Sequence, residues 1–152
     1  MFKTIVILSF LAAASATVIK IDKCENVPED VCTITESRIT PCVNGDECRL
    51  KKGKEHAISF DFTPNFSADK LKTAVYYVNA GQDIPFAELR DADGCLYTSC
   101  PVSPGVSQQL NYKLRLGKKL PSGNFPIKWR VWNEANPAQE CCFLAKLSIS
   151  RR

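Results

Sequence analysis

Cysteine is the residue type with the clearest chemistry in this sequence, because all eight cysteines lie beyond residue 23. They occupy positions Cys24, Cys32, Cys42, Cys48, Cys95, Cys100, Cys141 and Cys142. The two close pairs, Cys42 with Cys48 and Cys95 with Cys100, are expected to bond within short loops. The adjacent pair near the C-terminus cannot readily bond to itself without strain, so its members are expected to reach back to the two cysteines nearest the N-terminus. Sequence alone allows about a hundred pairings of eight cysteines.

The N-terminal residues predict export from the cell, where disulfides persist. Lys3 precedes an apolar run over residues 4–14, and Ala14-Ser15-Ala16 is a small-x-small cleavage pattern. The run is too short to span a membrane as a helix. We therefore predict a signal peptide over residues 1–16 and one domain over residues 17–152. The predicted location is extracellular, with the lysosomal lumen as the alternative.

Few side chains in this sequence have a pattern that indicates catalysis. His56 is the only histidine, and it stands at the start of an alternating segment, which favours a structural or exposed role. Residues 88–93 are rich in acids, but a charged loop explains them better than the converging carboxylates of a hydrolase. Phosphate-binding and nucleophile-elbow motifs are absent, and cysteines in an exported chain favour disulfides over zinc. The sequence predicts no enzyme, no metal and no cofactor.

The charge of the chain is mildly basic. There are 20 Lys and Arg residues against 16 Asp and Glu residues, a net charge of +4 at pH 7. The local clusters are Lys51-Lys52-Gly53-Lys54 and Lys118-Lys119. Solvated loops are the simpler interpretation, and weak attraction to an anionic membrane or an acidic partner is the alternative. Because dense basic runs are absent, we expect no nucleic-acid partner.

Alternating apolar and polar residues predict β-strands, and these strands must position the side chains named above. The alternating or β-branched segments cover residues 31–39, 57–62, 73–78, 110–116, 127–131 and 143–150. Turn signals such as Pro104-Gly105 and Asn136-Pro137 separate them. Six or seven antiparallel strands in about 135 residues favour an all-β sandwich of two antiparallel sheets.

Six aromatic residues lie on apolar strand faces or beside prolines. They are Phe60, Phe62, Phe86, Phe125, Trp129 and Phe143. A packed core is the simpler interpretation of such residues, and a cavity for an apolar ligand is the alternative. Periodicity alone does not show whether the two sheets close on each other.

A series of short motifs follows in order along the chain. They are Lys23-Cys24, Thr40-Pro41-Cys42 with Cys48 and Leu50-Lys51-Lys52-Gly53, Ile58-Ser59-Phe60-Asp61-Phe62, Ile84-Pro85-Phe86, Asp93-Gly94-Cys95 with Cys100-Pro101, Trp129-Arg130-Val131, and Cys142-Phe143. This order resembles the ML-domain lipid-recognition family, which includes Niemann-Pick C type-2 sterol-transfer proteins and group-two mite allergens. Each motif is weak alone, but their order over the full length is specific.

The resemblance implies an immunoglobulin-like β-sandwich with a lipid pocket between its two sheets. The lipid-binding residues it implies are Ile58, Phe60, Phe62, Phe86, Leu120, Phe125 and Trp129. Phe86 and Phe125 match opposite walls of the tunnel neck, and Leu120 matches the neck aliphatic if one residue is inserted after it. The implied protein is a monomeric, secreted carrier of a sterol or similar lipid, with transient contacts to a membrane or a lipid-transfer receptor. The alternative is an extracellular protein that recognises microbial lipid or a hydrophobic chemical signal.

The resemblance also bears on the disulfides. Usual family members have six cysteines, so Cys32 and Cys141 are additional and suggest a fourth bond. The family's last cysteine has the strand phase of Cys142. The pairs implied are Cys24–Cys142, Cys32–Cys141, Cys42–Cys48 and Cys95–Cys100.

One N-glycosylation sequon is present in the sequence. It is Asn65-Phe66-Ser67, which follows a predicted strand and Pro64. We expect Asn65 to be exposed and open to glycosylation.

Overall fold

The structure of the protein is a computed structural model that describes residues 16–42, 46 and 48–151. The predicted signal peptide, apart from Ala16, lies outside the described residues. The strands are β1 Thr17–Ile19, β2 Ile21–Lys23, β3 Cys32–Thr40, β4 Cys48–Lys51, β5 Glu55–Pro64, β6 Leu71–Asn79, β7 Gln82–Pro85, β8 Ala92–Asp93, β9 Gln108–Arg115, β10 Gly123–Asn133 and β11 Asn136–Ser150. Two short 3-10 turns cover Ala87–Leu89 and Gly94–Leu96. In the part of the chain described, no helix is long and apolar enough to cross a membrane.

The strands form two sheets that pack face to face. Sheet A has the order β1-β3-β5-β9. Sheet B has the order β2-β11-β10-β6-β7, with β4 also paired to β11 and β8 to β6. The pairs are antiparallel except for β4, which runs parallel to β11. The predicted all-β sandwich is therefore confirmed, with one parallel pair added to it.

All six segments predicted as strands are strands in the structure, and five further strands are short. The short ones, β1, β2, β4, β7 and β8, have two to four residues each. A segment of that length contains too few residues to show a period of two. They form because a long neighbour offers them backbone hydrogen-bond partners.

Strand β11 shows how the sequence pattern directs side chains into the core. Its odd-numbered residues from Cys141 to Ile149 are buried, whereas Lys146 is exposed. Strand β3 keeps an apolar inner face through an irregularity between Ile34 and Glu36, which shifts its pairing with β5. Both sheets therefore contribute one apolar face to the space between them.

Four aromatic side chains, Phe60, Phe62, Trp129 and Phe143, form a layer across this space, which we call the aromatic layer. The ring of Phe60 lies 5.4 Å from that of Trp129 and 5.1 Å from that of Phe143, both in edge contact. Trp129 and Phe143 stack at 6.2 Å. The indole N–H of Trp129 donates a 2.9 Å hydrogen bond to Thr73 Oγ1, which satisfies its one polar atom.

Four disulfides join the eight cysteines, in the pairs that the family resemblance implies. Cys24 bonds to Cys142 and Cys32 to Cys141. Cys42 bonds to Cys48, and Cys95 to Cys100. Two long-range bonds therefore tie the N-terminal part of the domain to the last strand.

His56 is a structural residue with no exposed surface. Its Nε2 accepts a 3.2 Å hydrogen bond from the backbone N–H of Lys51, and its Nδ1 donates to the carbonyl oxygen of Pro41 at 3.3 Å. The imidazole thus connects the end of β3 to the end of β4. Of the two roles considered for His56, the structure selects the buried, structural one.

Candidate functional site

A narrow apolar cavity of about 30 Å³ lies between the two sheets. Its sheet A wall consists of Ile58, Tyr112, Leu114 and Leu116. Ile58 pairs directly with Tyr112 across β5 and β9, so the two side chains lie on the same face. Leu114 of β9 and Leu116, just after the strand ends, follow at every second position, as the strand pleat requires.

The sheet B wall comes from strands β4, β6, β10 and β11. Its residues are Leu50, Val75, Phe125, Ile127, Trp129, Leu147 and Ile149. Cross-strand pairing sets this arrangement, because Phe125 lies opposite Leu147 and Trp129 lies opposite Val75. Phe125 also contacts the ring of Tyr77 at 5.2 Å.

The segment after β7 covers the side of the cavity between β6 and β9. Phe86 and Leu89 line the cavity here, and Glu88 stands beside them. The backbone N–H of Phe86 donates a 2.9 Å hydrogen bond to the carbonyl of Val75, which attaches the segment to sheet B. Glu88 is exposed and, among the described residues, makes no ion pair.

The lining is almost wholly apolar, and Glu88 and Tyr112 are its two residues that carry a polar end. Burial raises the pKa of Tyr112 above its ordinary value of 10.0, and nearby Tyr97 and Glu88 raise it further. The phenol thus remains protonated at neutral pH. It can both donate and accept a hydrogen bond at the cavity.

The aromatic layer closes the inner end of the cavity. Trp129 is part of both, and its ring contacts Tyr112 at 5.8 Å. Phe60 and Phe62 lie behind it and have no exposed surface. Ligand pockets usually measure roughly 300–1,000 Å³. A cavity of about 30 Å³ is far smaller, so a lipid can enter only if the two sheets move apart.

The structure distributes the implied lipid-binding residues unevenly. Ile58, Phe86, Phe125 and Trp129 line the cavity, as the resemblance implies. Phe60 and Phe62 do not, because they point into the aromatic layer beneath it. Leu120 also lies outside the lining, where it packs half-buried against the edge of the core. Lipid binding by all seven residues stays a prediction.

Other cavity residues were not singled out from the sequence. Leu114 on β9, Leu116 just after it, and Leu147 and Ile149 on β11 lie on faces that the alternating pattern indicates. The signal for them was present, but alternation does not distinguish an inward residue at a cavity from one in a packed core. The sequence indicates a charged loop at residues 88–93, and the structure places Glu88 beside Phe86 and Leu89 at the cavity.

Two basic turns meet at the outer end of the cavity. The backbone N–H of Gly53 donates to the carbonyl of Leu116 at 2.8 Å, and the N–H of Leu116 donates to that of Lys54 at 3.3 Å. We call the lysines of these turns the basic end; they are Lys51, Lys52, Lys54, Lys118 and Lys119. In the part of the chain described, none of the five forms an ion pair.

The predicted glycosylation site lies on the surface, away from the cavity. Asn65 is exposed, while the next residue, Phe66, is buried. The Asn65 side-chain amide donates a 2.7 Å hydrogen bond to the carbonyl of Asp30. Glycosylation of Asn65 stays a prediction.

The chain is similar to known proteins in both sequence and fold. The family model for the ML domain matches residues 18–149. A protein named "MD-2-related lipid-recognition protein" from Manduca sexta is 44% identical over 128 residues, covering 84% of this chain and 83% of that protein. "NPC intracellular cholesterol transporter 2" from Danio rerio is 27% identical over 138 residues, covering 90% and 89%.

The fold of this chain also matches that of a solved structure. The crystal structure of a Niemann-Pick type C2 protein from the Japanese carpenter ant matches with a TM-score of 0.74 and 19% sequence identity. The match covers 87% of this chain and all of the other. Because the domain model spans most of the sequence, the chain belongs to the ML-domain family, whose members are lipid-binding proteins and not enzymes.

Proposed function

We propose that the protein is a secreted carrier that holds a sterol or a similar lipid between its two sheets and transfers it between membranes. The observation that supports this most is the cavity, whose walls from both sheets are apolar apart from one phenol and one carboxylate. Burial of apolar surface contributes roughly 25 cal/mol per Å², so such walls can hold a lipid with few polar contacts. The relative from Danio rerio, named as a cholesterol transporter, supports the same proposal.

The polar rim favours a lipid with a hydroxyl head group. A hydroxyl can donate a hydrogen bond to the Glu88 carboxylate and accept one from Tyr112. The carboxylate of a fatty acid, placed at the same rim, would face the like charge of Glu88. Like-charge contacts are a common means of rejecting a wrong ligand. A sterol therefore fits this rim better than a fatty acid.

The proposal is tested by native mass spectrometry of the protein secreted from eukaryotic cells. We expect an added mass that disappears on denaturation and that extracts into organic solvent as a hydroxyl-bearing lipid. The same protein should bind a fluorescent sterol in competition with that lipid. An unliganded protein that also fails to bind sterol, fatty acid and lipid A would refute the carrier function.

Extracellular recognition is the second candidate function. The Manduca sexta relative, named as a lipid-recognition protein, is more similar in sequence than the Danio rerio protein. A recognition protein would hold a microbial lipid or a hydrophobic chemical signal and present it to a receptor. Identification of the extracted lipid as lipid A, or as a signal molecule in place of a sterol, would favour this function.

The basic end is proposed to attract the protein to an anionic membrane. Each basic residue near such a surface contributes about 1 kcal/mol of attraction. We expect Lys118→Glu with Lys119→Glu to weaken binding to anionic vesicles by at least about tenfold. Binding of sterol in solution should stay unchanged, because neither lysine lines the cavity. Vesicle sedimentation measures the first effect and fluorescence titration the second.

A control variant carries the same charge change elsewhere. Lys70 and Lys146 are exposed, form no ion pair among the described residues, and lie away from the basic end. Lys70→Glu with Lys146→Glu should weaken vesicle binding much less. Equal losses in the two variants would show that net charge, and not the basic end, directs the protein to membranes. Raised salt should reduce the difference between them.

A further inference from the structure

The two long-range disulfides have different positions relative to the sheets. Cys32 begins β3 in sheet A, and its partner Cys141 lies in β11 of sheet B. This bond therefore ties one sheet to the other. Cys24 follows β2 directly, and its partner Cys142 lies on the neighbouring strand β11, so this second bond stays within sheet B.

The ties between the sheets are confined to one side of the sandwich. Cys32–Cys141 connects β3 to β11, and Cys42–Cys48 connects the other end of β3 to β4, the parallel neighbour of β11. The cavity extends from this side, where Leu50 and Ile149 line it, to the side where β9 faces β6 and the Phe86 segment. None of the four disulfides joins the sheets there. Disulfides therefore restrain sheet separation on the β3 side of the cavity and not on its β9 side.

The Cys32–Cys141 bond also lies directly behind the aromatic layer. Cys141 precedes Phe143 by two residues on the same strand face, and Val131, opposite Cys141, follows Trp129 by two. In sheet A, Cys32 precedes Ile34 by two residues, and Ile34 pairs with Phe62. The bond is buried, with Cys141 1% exposed. The sheets are thus held together one residue layer, about 7 Å, behind the inner end of the cavity.

We propose that Cys32–Cys141 limits the depth of the lipid site and so determines the length of lipid that the protein accepts. This inference rests on the proposed lipid-carrying function. From Phe143 to Ile149, the wall of β11 extends about 20 Å. Opening on the β9 side widens that space, while the bond keeps the aromatic layer closed at its inner end. The lipid selected is an amphiphile whose apolar part fits within this length, such as a sterol.

The chain offers a matched pair of variants for the test. Cys32→Ala with Cys141→Ala removes the tie between the sheets, and Cys24→Ala with Cys142→Ala removes the tie within sheet B. The bonds close stretches of 109 and 118 residues, so the loop-closure effect on the unfolded chain is nearly equal. Any difference between the variants then reports where the tie lies in the folded protein.

The measurement is displacement of a fluorescent sterol by straight-chain fatty alcohols of increasing length. In the wild type, affinity should rise about fourfold for each methylene that is buried, and then stop rising at a cut-off length. Removal of Cys32–Cys141 should move the cut-off to longer alcohols, by a length comparable to one added layer of about 7 Å. Removal of Cys24–Cys142 should leave the cut-off in place. An unchanged cut-off in the first variant, or equal shifts in both, would overturn the proposal.

A second pair of substitutions tests the proposal if the alanine variant is unstable, and a second measurement tests it without lipid. Cys32→Val with Cys141→Val keeps the buried site filled and should shift the cut-off in the same direction if the alanine variant is unstable. Amide hydrogen exchange tests the tie without any lipid. Loss of Cys32–Cys141 should speed exchange in β3 and β5 beside the aromatic layer, and loss of Cys24–Cys142 should not. Failure of the wild type to bind any lipid would refute the carrier function, while equal exchange in the two variants would refute the depth limit.

Discussion

Phe86→Ala is expected to weaken binding of a fluorescent sterol by at least about tenfold while the protein stays folded. Full burial of a phenylalanine side chain against a ligand is worth about 1.5–3 kcal/mol, which corresponds to roughly a tenfold to hundredfold change in affinity. Phe86 is only half-buried without ligand, so its truncation removes little packing from the free protein. Phe125→Ala, on the opposite wall, should behave in the same way. Fluorescence titration and thermal unfolding measure the two effects.

Leu96→Ala is the control for this prediction. Leu96 is 74% exposed and does not line the cavity, so its truncation should change neither affinity nor melting temperature. A Phe86→Ala protein that unfolds, together with a wild type that binds no apolar ligand, would assign Phe86 to an ordinary core. Unchanged sterol affinity in both phenylalanine variants would move the lipid site elsewhere in the molecule.

Phe60→Ala is expected to affect folding stability more than sterol binding. It should destabilise the protein by about 3–5 kcal/mol. Phe60 has no exposed surface, and its ring contacts those of Phe62, Trp129 and Phe143. Truncation would leave a void that these rings cannot fill without leaving their packed positions. Chemical denaturation should show the loss as a lower midpoint.

Phe60→Leu tests whether the loss comes from packing volume. Leucine retains most of the apolar volume, so this variant should recover much of the lost stability. Because Phe60 does not line the cavity and Phe86 does, Phe60→Ala protein that remains folded should retain sterol binding better than Phe86→Ala does. A Phe60→Ala protein as stable as the wild type would show that the aromatic layer is not tightly packed.

The closed cavity has a consequence for how the protein loads its lipid. Its walls are complete, but the space of about 30 Å³ is too small for any lipid. Under the proposed function, loading would include movement of the sheets, and on the β9 side no disulfide would restrain that movement. The rim residues Glu88 and Tyr112 lie on that side, so the polar end of an entering lipid would meet them early.

The strands of this protein could be predicted from sequence because each long strand carries a local pattern. Alternation in residues 57–62 and 143–150 indicates which side chains point inward, and the structure buries Phe60 and Phe143 accordingly. Short strands such as β8 Ala92–Asp93 have no such pattern, since they depend on pairing with a neighbour distant in sequence. The basic turns were also recognisable, but their meeting at one end of the cavity depends on hydrogen bonds between Gly53, Leu116 and Lys54.

The sequence by itself determined the two-sheet fold, the inward faces and, through resemblance, the family and the cysteine pairs. Tertiary structure decided which inward residues line the cavity. Ile58 and Phe60 carry the same alternating signal in one strand, yet Phe60 packs in the aromatic layer and Ile58 faces the gap. A period of two encodes only the side of a strand on which a residue lies. The distance between the sheets, and the side on which disulfides restrain it, arise from contacts between distant segments that no local pattern contains.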